Sequence, residues 1–275
     1  MSIKIGIMQG RLSNSINNTI QAFPEESWRN EFELSQKINL NSIEWIFDTY
    51  QKNPIMTKEI SEINNYISKY QVEVNSICAD YFMVNKLFNE SENKIKKNLE
   101  ILKKLAINSK KIGAKIIEIP LVDSSSLKNE ENKKEFVTNL KKILPEINDL
   151  GLIVTLETDL DPNEFLNLLE MFEKNTIYIN YDTGNSASLG FDVNEEFKIL
   201  KNKIKNIHLK DRILNGITVP FGLGNTNFEE FFKILKKSGY SGDLIIQGAR
   251  IEGMKPEQNC VKYVNFIKEY LDKYS

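Results

Sequence analysis

Histidine occurs once in 275 residues, at His208. That scarcity excludes sites needing two or three imidazoles, such as His-rich zinc clusters and the HExxH motif. Cysteine occurs twice, at Cys78 and Cys260, with no CxxC spacing, which reads as two reduced thiols. Long apolar runs are missing: the longest, 116–122 and 152–156, fall far short of the roughly 20 residues of a membrane span. The first residues, MSIKIGIMQG, read as a strand and lack the charged, apolar and small-residue regions of a secretory signal, so a cytoplasmic protein is expected. No sign of charge dominates. Lys plus Arg 36 against Asp plus Glu 38 leaves a net charge of −2, with no pull toward nucleic acid or an anionic membrane. GIMQGRL lacks the GxGxxG spacing and GxxxxGK[ST] occurs nowhere, so neither phosphate-cradling motif is present.

The composition is that of a globular chain, 41% hydrophobic with 13 Gly and 7 Pro. Short β-rich runs alternate with longer helical ones. Eight strand candidates fall at 3–8, 42–47, 72–78, 114–121, 152–156, 176–181, 204–209 and 243–247. The helical rhythm is clearest over 93–111, where Ile95, Leu99, Leu102, Leu105 and Ala106 recur mainly at spacings of three and four. It returns over 135–150, where Pro145 ends or kinks it, and over 228–238, capped by Thr226 or Asn227 and stopped by Gly239. No Pro/Gly/Ser-rich linker divides the chain; residues 124–126 and the following LKNEENKK read as a loop and a helix start. Strand and helix alternating in this way predict parallel strands with right-handed crossovers. Eight such units at this length predict an α/β fold, a (β/α)8 TIM barrel, with residues 1–275 as a single domain.

Function in such a barrel gathers at the C-terminal ends of the strands. Strand 1 ends in Gln9, Gly10 and Arg11; strand 2 carries Glu44 and ends near Asp48; strand 3 ends at Asp80 and Tyr81; strand 4 carries Glu118. Strand 5 ends in Glu157, strand 6 in Asp182 and Asn185, strand 7 in His208 through Arg212, and strand 8 in Gln247 and Arg250. Glu157, Asp182 and His208 therefore share a level on three successive strands, and the only imidazole of the chain falls there. Two carboxylates and one imidazole suit Mn²⁺, Mg²⁺, Co²⁺ or Zn²⁺ with positions left for substrate oxygens. The bland counterpart is a buried His–Asp hydrogen bond that only closes the barrel.

The segments IEWIFD (43–48), LETDL (156–160), YDTGN (181–185), IHLKD (207–211) and VPFGLGNTNF (219–228) together carry a family resemblance. The chain resembles the sugar phosphate isomerase/epimerase group built on the xylose-isomerase-like TIM barrel. In look it stands nearest the L-ribulose-5-phosphate 3-epimerase and hexulose-6-phosphate isomerase-like members. The resemblance implies a divalent metal held by Glu, Asp, His and Glu from strands 5 to 8. Glu157, Asp182 and His208 match the first three. The fourth position is Gln247. The two glutamates of the epimerases also act as an acid/base pair, one on each face of an enediolate, so the resemblance makes Glu157 and position 247 the catalytic pair. A glutamine can offer its carbonyl oxygen to a metal, but it cannot serve as a proton-transferring base. An aldose–ketose isomerisation needs only one base, so Gln247 tilts the expectation toward isomerisation, or toward a reaction whose second base is Glu118 or Glu44.

Glu44, Glu118, Asn185, Lys210, Arg212, Arg250 and Arg11 are the substrate-binding candidates, the arginines because they suit an anionic sugar. The competing readings are a surface ion pair between Lys210 and Asp211, pairing of the arginines with loop carboxylates, and a salt bridge from Glu44 to Arg11. Residues 220–225 form a glycine-containing loop ahead of a helix N-terminus, able to cradle an anion or to be a simple turn. Gln21 to Pro24, with Trp28, lie in the long connection after strand 1 and either cap the pocket or bury against the barrel top. The expected ligand is a small-molecule sugar or sugar phosphate, with no nucleic acid and no membrane, and a homo-oligomer is left open. Two alternatives stand beside the enzyme reading: a non-catalytic sugar-binding barrel, and an apurinic endonuclease of the same fold. The latter branch implies a His-rich three-zinc site, which one histidine opposes.

Overall fold

The computed structural model describes residues 3–16, 19 and 21–274. Its elements in chain order are β1 (Lys4–Met8), α1 (Trp28–Lys37), β2 (Ser42–Ile46), α2 (Ile60–Tyr70), β3 (Ser76–Cys78), α3 (Tyr81–Val84), α4 (Glu92–Lys111), β4 (Ile116–Leu121), α5 (Glu130–Leu140) and α6 (Leu144–Asp149). There follow β5 (Ile153–Thr158), α7 (Pro162–Glu170), β6 (Ile177–Asp182), α8 (Thr183–Leu189), α9 (Val193–Leu200) and β7 (Ile204–Leu209). A hairpin of β8 (Asp211–Arg212) and β9 (Thr218–Val219) precedes α10 (Phe228–Ser238), β10 (Asp243–Ile246) and α11 (Pro256–Lys273). Eight of the strands close into a barrel in the order β1-β10-β7-β6-β5-β4-β3-β2. The TIM barrel expected from the alternation is therefore the fold.

The barrel strands have an unusual polarity. Residues two apart on a strand share a face. Glu118 with Pro120, Thr155 with Glu157, Asn180 with Asp182 and Asn206 with His208 form one set of faces. Ile117, Ile119, Val154, Leu156, Ile179, Tyr181, Ile207 and Leu209 form the other, and all are buried. Tyr181 shows where the apolar set points: its ring packs on Phe197 of α9 and Phe231 of α10, with centroids 5.1 and 6.3 Å away. Trp45 likewise turns to the outer layer, where its Nε1 donates to Asn53 Oδ1 at 2.9 Å. The helices supply the apolar core, and the polar faces are left to fill the barrel.

By compactness the chain comprises residues 44–179 and residues 1–43 with 180–275. In the first part the helix expected over 135–150 begins earlier, at Glu130 behind an Asn129 cap whose side chain accepts from Asn132 N. It stops at Leu140, and Pro145 sits in the first turn of a separate helix, α6. Proline lacks the N–H that a first turn leaves unpaired, so it starts this helix instead of ending one. The strand expected over 72–78 is confined to Ser76–Cys78, because Gln71 takes a left-handed conformation (φ 56°) to end α2. In the second part α10 has the expected Asn227 cap and left-handed Gly239 stop. Phe221, Phe228, Phe266 and Tyr270 pack there as a contiguous ring cluster.

The connection after β1 is tied to α1 by one buried carboxylate. Glu31 accepts from Gly10 N at 3.0 Å, Leu12 N at 3.2 Å and Ser13 Oγ at 2.8 Å. Three donors favour the charged form, yet desolvation outweighs them and lifts the Glu31 pKa to about 7 from 4.5. A folded-state pKa above the unfolded one means the folded protein holds the proton more tightly. Its contribution is full below pH 4.5 and is lost as pH rises through about 7. The loss amounts to roughly 3 kcal/mol. Urea unfolding followed across that window is expected to show stability falling with pH, and Glu31→Gln is expected to flatten the dependence.

Candidate active site

Asp182 ends β6 and begins α8. Its Oδ1 accepts from Gly184 N and Asn185 N, both at 2.8 Å, so one oxygen caps the helix and fixes the side chain. The other oxygen lies 2.7 Å from Lys210 Nζ. The lysine stem crosses directly over Gly184, where any Cβ would meet its carbons at 2.8 Å, so glycine is required for this pair. The expected alternative of a Lys210–Asp211 surface pair is replaced by this buried one.

His208 is the penultimate residue of β7, with 1% exposure, and its Nδ1 lies 3.0 Å from Asn180 Nδ2. Glu157 stands on β5, one residue beyond the Leu156↔Ile179 register pair with β6. Within residues 180–275, one carboxylate oxygen of Asp182 and one ring nitrogen of His208 lie within 4.8 Å of each other. All three residues are buried. The structure brings Asp182 and His208 together and buries Glu157 at its own strand end, and oxygen and nitrogen donors of this kind fit a divalent cation.

Gln247 follows β10 directly, and its N–H still donates to Leu209 O at 2.9 Å. Its side-chain Nε2 donates to Gln21 Oε1 at 2.8 Å, and Arg11 Nη2 donates to the same oxygen at 3.4 Å. This settles the direction of both amides. Arginine only donates, so Gln21 must show its oxygen; Gln247 must then show its NH₂ to Gln21. The Gln247 carbonyl oxygen is left buried with no hydrogen-bond partner among the described residues, on a residue 6% exposed. Such an oxygen costs about 1–3 kcal/mol unless something meets it. A glutamine carbonyl oxygen is a group that a metal can accept. Gln21 was legible only as part of a capping segment, and its partner is 226 residues away. Asn180 escaped the sequence reading, although it lies two residues before Asp182 and so shares its face.

The other candidates divide by task. Arg250 donates to Ser13 O at 2.6 Å and Gly10 O at 2.7 Å, so it anchors the connection after β1, as Arg11 helps to do. Arg212 holds Gly216 O through Nε and Nη2 and donates from Nη1 to Asn185 Oδ1 at 2.8 Å, which joins two candidates at one rim. Glu118 registers with Thr155, one alternation below Glu157. Glu44 accepts from Ser76 Oγ and gathers with Glu118 and Cys78. The 220–225 loop does cradle an anion, its own: Asp211 accepts from Gly222 N, Gly224 N and Thr226 N at 2.8, 2.9 and 3.0 Å.

The family model described as Xylose isomerase-like TIM barrel matches residues 32–270. The chain belongs to the xylose isomerase-like TIM barrel family. Among its relatives, an L-ribulose-5-phosphate 3-epimerase of Shigella flexneri is 25% identical over 268 residues, covering 90% of this chain and 91% of that protein. An inosose dehydratase of Clostridium perfringens is 23% identical over 255 residues, covering 77% of this chain and 82% of that protein. The solved structure of an L-ribulose 3-epimerase superposes with a TM-score of 0.80 at 16% identity, covering 99% of this chain and 96% of that one. Among the described residues of this xylose isomerase-like barrel, no helix is long and apolar enough to cross a membrane.

The Asp211 cradle yields a stability test. Asp211→Asn turns an acceptor into a donor facing backbone N–H groups, and Gly224→Ala drives a Cβ into the same carboxylate. Each is expected to lower unfolding free energy by roughly 2 kcal/mol in urea titrations. An unchanged midpoint for both would show that the loop is held by other means.

Proposed function

We propose that this chain is a divalent-metal-dependent isomerase or epimerase of a sugar or sugar phosphate, moving a proton through an enediolate. The observation that carries the reading is Asp182 and His208 with donor atoms within 4.8 Å of each other and the buried, unmet Gln247 carbonyl oxygen on the adjoining strand end; Glu157, at the end of β5, is the further carboxylate. Relatives named for sugar epimerisation support it. The ion would be Mn²⁺, Mg²⁺, Co²⁺ or Zn²⁺. When bound, it supplies Lewis acidity to neighbouring sugar oxygens.

The chain's own residues divide the remaining work. Asp182 is held rigid by its cap, and Lys210 balances its second oxygen until a dication takes that role. Asn180 engages His208 Nδ1, so ligation falls to Nε2; the tautomer with Nδ1–H turns the Asn180 oxygen toward the ring. Glu157 takes the proton from the carbon beside the carbonyl and returns it to the neighbouring carbon on the same face, while the hydroxyl proton of the first carbon passes to the original carbonyl oxygen. Gln247 cannot titrate, so no opposite-face base comes from β10, which favours aldose–ketose transfer over two-base epimerisation. Arg212 and Asn185 receive hydroxyls or a phosphate at the rim. The inosose dehydratase relative favours a second reading, loss of water after the same proton abstraction.

The deciding experiment incubates Mn²⁺-loaded protein in D₂O with a panel of ketoses, aldoses and their phosphates, followed by NMR. Deuterium at the carbon beside the carbonyl, with the isomeric sugar appearing, is the expected result. Loss of water instead selects the dehydratase reading. Mn²⁺ and sugar binding without exchange on any panel member would leave a binding barrel. Asp182→Asn is expected to abolish Mn²⁺ binding by calorimetry.

A second test reads the amide relay. Gln247→Glu adds a charge at the site and should tighten Mn²⁺ binding about tenfold. Gln21→Leu should weaken Mn²⁺ binding in the Gln247 protein, because the amide is no longer oriented. In the Gln247→Glu background it should not weaken it, because a carboxylate offers oxygen either way. Equal effects in both backgrounds would remove the orienting role.

A further inference from the structure

One alternation below Glu157, within residues 44–179, lies a second group of donors. Glu44 is 0% exposed on β2, Cys78 2% on β3 and Glu118 0% on β4. One oxygen of each carboxylate and the Cys78 sulfur all lie within 4.8 Å of one another. Register makes the grouping a property of the sheet: Cys78 pairs with Glu118, and Glu118 with Thr155. Register partners on neighbouring parallel strands project to the same face, so Thr155 is directed toward this group. Thr155 is fully buried, and its hydroxyl has no hydrogen-bond partner among the described residues. Thr155 is a neutral side chain, and its unmet hydroxyl is an observation separate from the acidic cluster.

We propose that Glu44, Cys78, Glu118 and Thr155 form a second cation site, selective for a borderline-soft dication such as Zn²⁺ or Co²⁺. Two carboxylates, a sulfur and a hydroxyl make four donors, the number zinc takes in structural sites. The sulfur argues against Mg²⁺ and Ca²⁺, which take oxygen donors. Binding replaces the thiol proton: the Cys78 S–H bond breaks, sulfur bonds to the cation, and the proton leaves to solvent. Such an ion would tie β2, β3 and β4 together. The donors also separate this site from the one proposed above, which contains no sulfur.

Co²⁺ titration of the full-length protein, followed in the near ultraviolet, tests the proposal. A thiolate-to-cobalt charge-transfer band is expected together with a stoichiometry of two equivalents. Cys260 is the other thiol of the chain, so Cys260→Ser should keep the band, while Cys78→Ser should lose it along with one equivalent. Asp182→Asn should lose the other equivalent and keep the band. No band in wild type, or a band that survives in Cys78→Ser or vanishes in Cys260→Ser, overturns the proposal. Wild type and Cys260→Ser alone decide between the two thiols, even where Cys78→Ser fails to fold. Failure of Asp182→Asn to lose an ion would count against the Glu157–Asp182–His208 reading alone.

Discussion

A strand has two faces, and in this barrel the helices claim the apolar one. Everything else depends on that constraint. Once Ile117, Val154, Leu156, Tyr181 and Ile207 face outward, their neighbours Glu118, Thr155, Glu157, Asp182 and His208 have only the interior to occupy. A buried carboxylate or imidazole must be paired, bonded or neutralised. The interior therefore becomes a stack of polar layers, in which most members satisfy one another and Thr155 and Gln247 each keep an unmet oxygen. Asp182 is the clearest case, because one oxygen holds a helix end while the other faces a lysine. The chemistry proposed for the site thus grows from the packing of the barrel wall.

Much of this was legible in the sequence, for a physical reason. Alternation along a strand and rhythm along a helix are local, so the barrel and its strand ends could be placed from neighbouring residues alone. The level shared by Glu157, Asp182 and His208 followed from counting to those ends. The reading stumbled where local signals compete. Pro145 is compatible with ending a helix or starting one, and only the turn before it decides. Val72 looks like strand, but the left-handed Gln71 delays the pairing.

What the sequence hid were the partners of long side chains. Arginines at a barrel mouth suit an anionic substrate, yet Arg250 is occupied by backbone oxygens of the connection after β1. Lys210 passes over its neighbour Asp211 and reaches Asp182, across a glycine that gave no sign of this use. Asp211 turned the glycine loop after β9 into a cradle for itself. Cys78 read only as a reduced thiol because its companions Glu44 and Glu118 come from other strands. Such choices depend on reach and direction, and those arise only after the strands have closed.

The amide relay from Arg11 through Gln21 to Gln247 bears on how this site could have changed over time. A glutamine codon becomes a glutamate codon by one base substitution, so an acid at position 247 is a single step away. The relay makes that step uneven. With Arg11 holding the Gln21 oxygen forward, a glutamate at 247 would set one carboxylate oxygen against it while the other stayed free for a cation. The gain from the added charge would then be offset in part by that opposition, and a change at Gln21 would alter the balance, so the two positions are physically coupled.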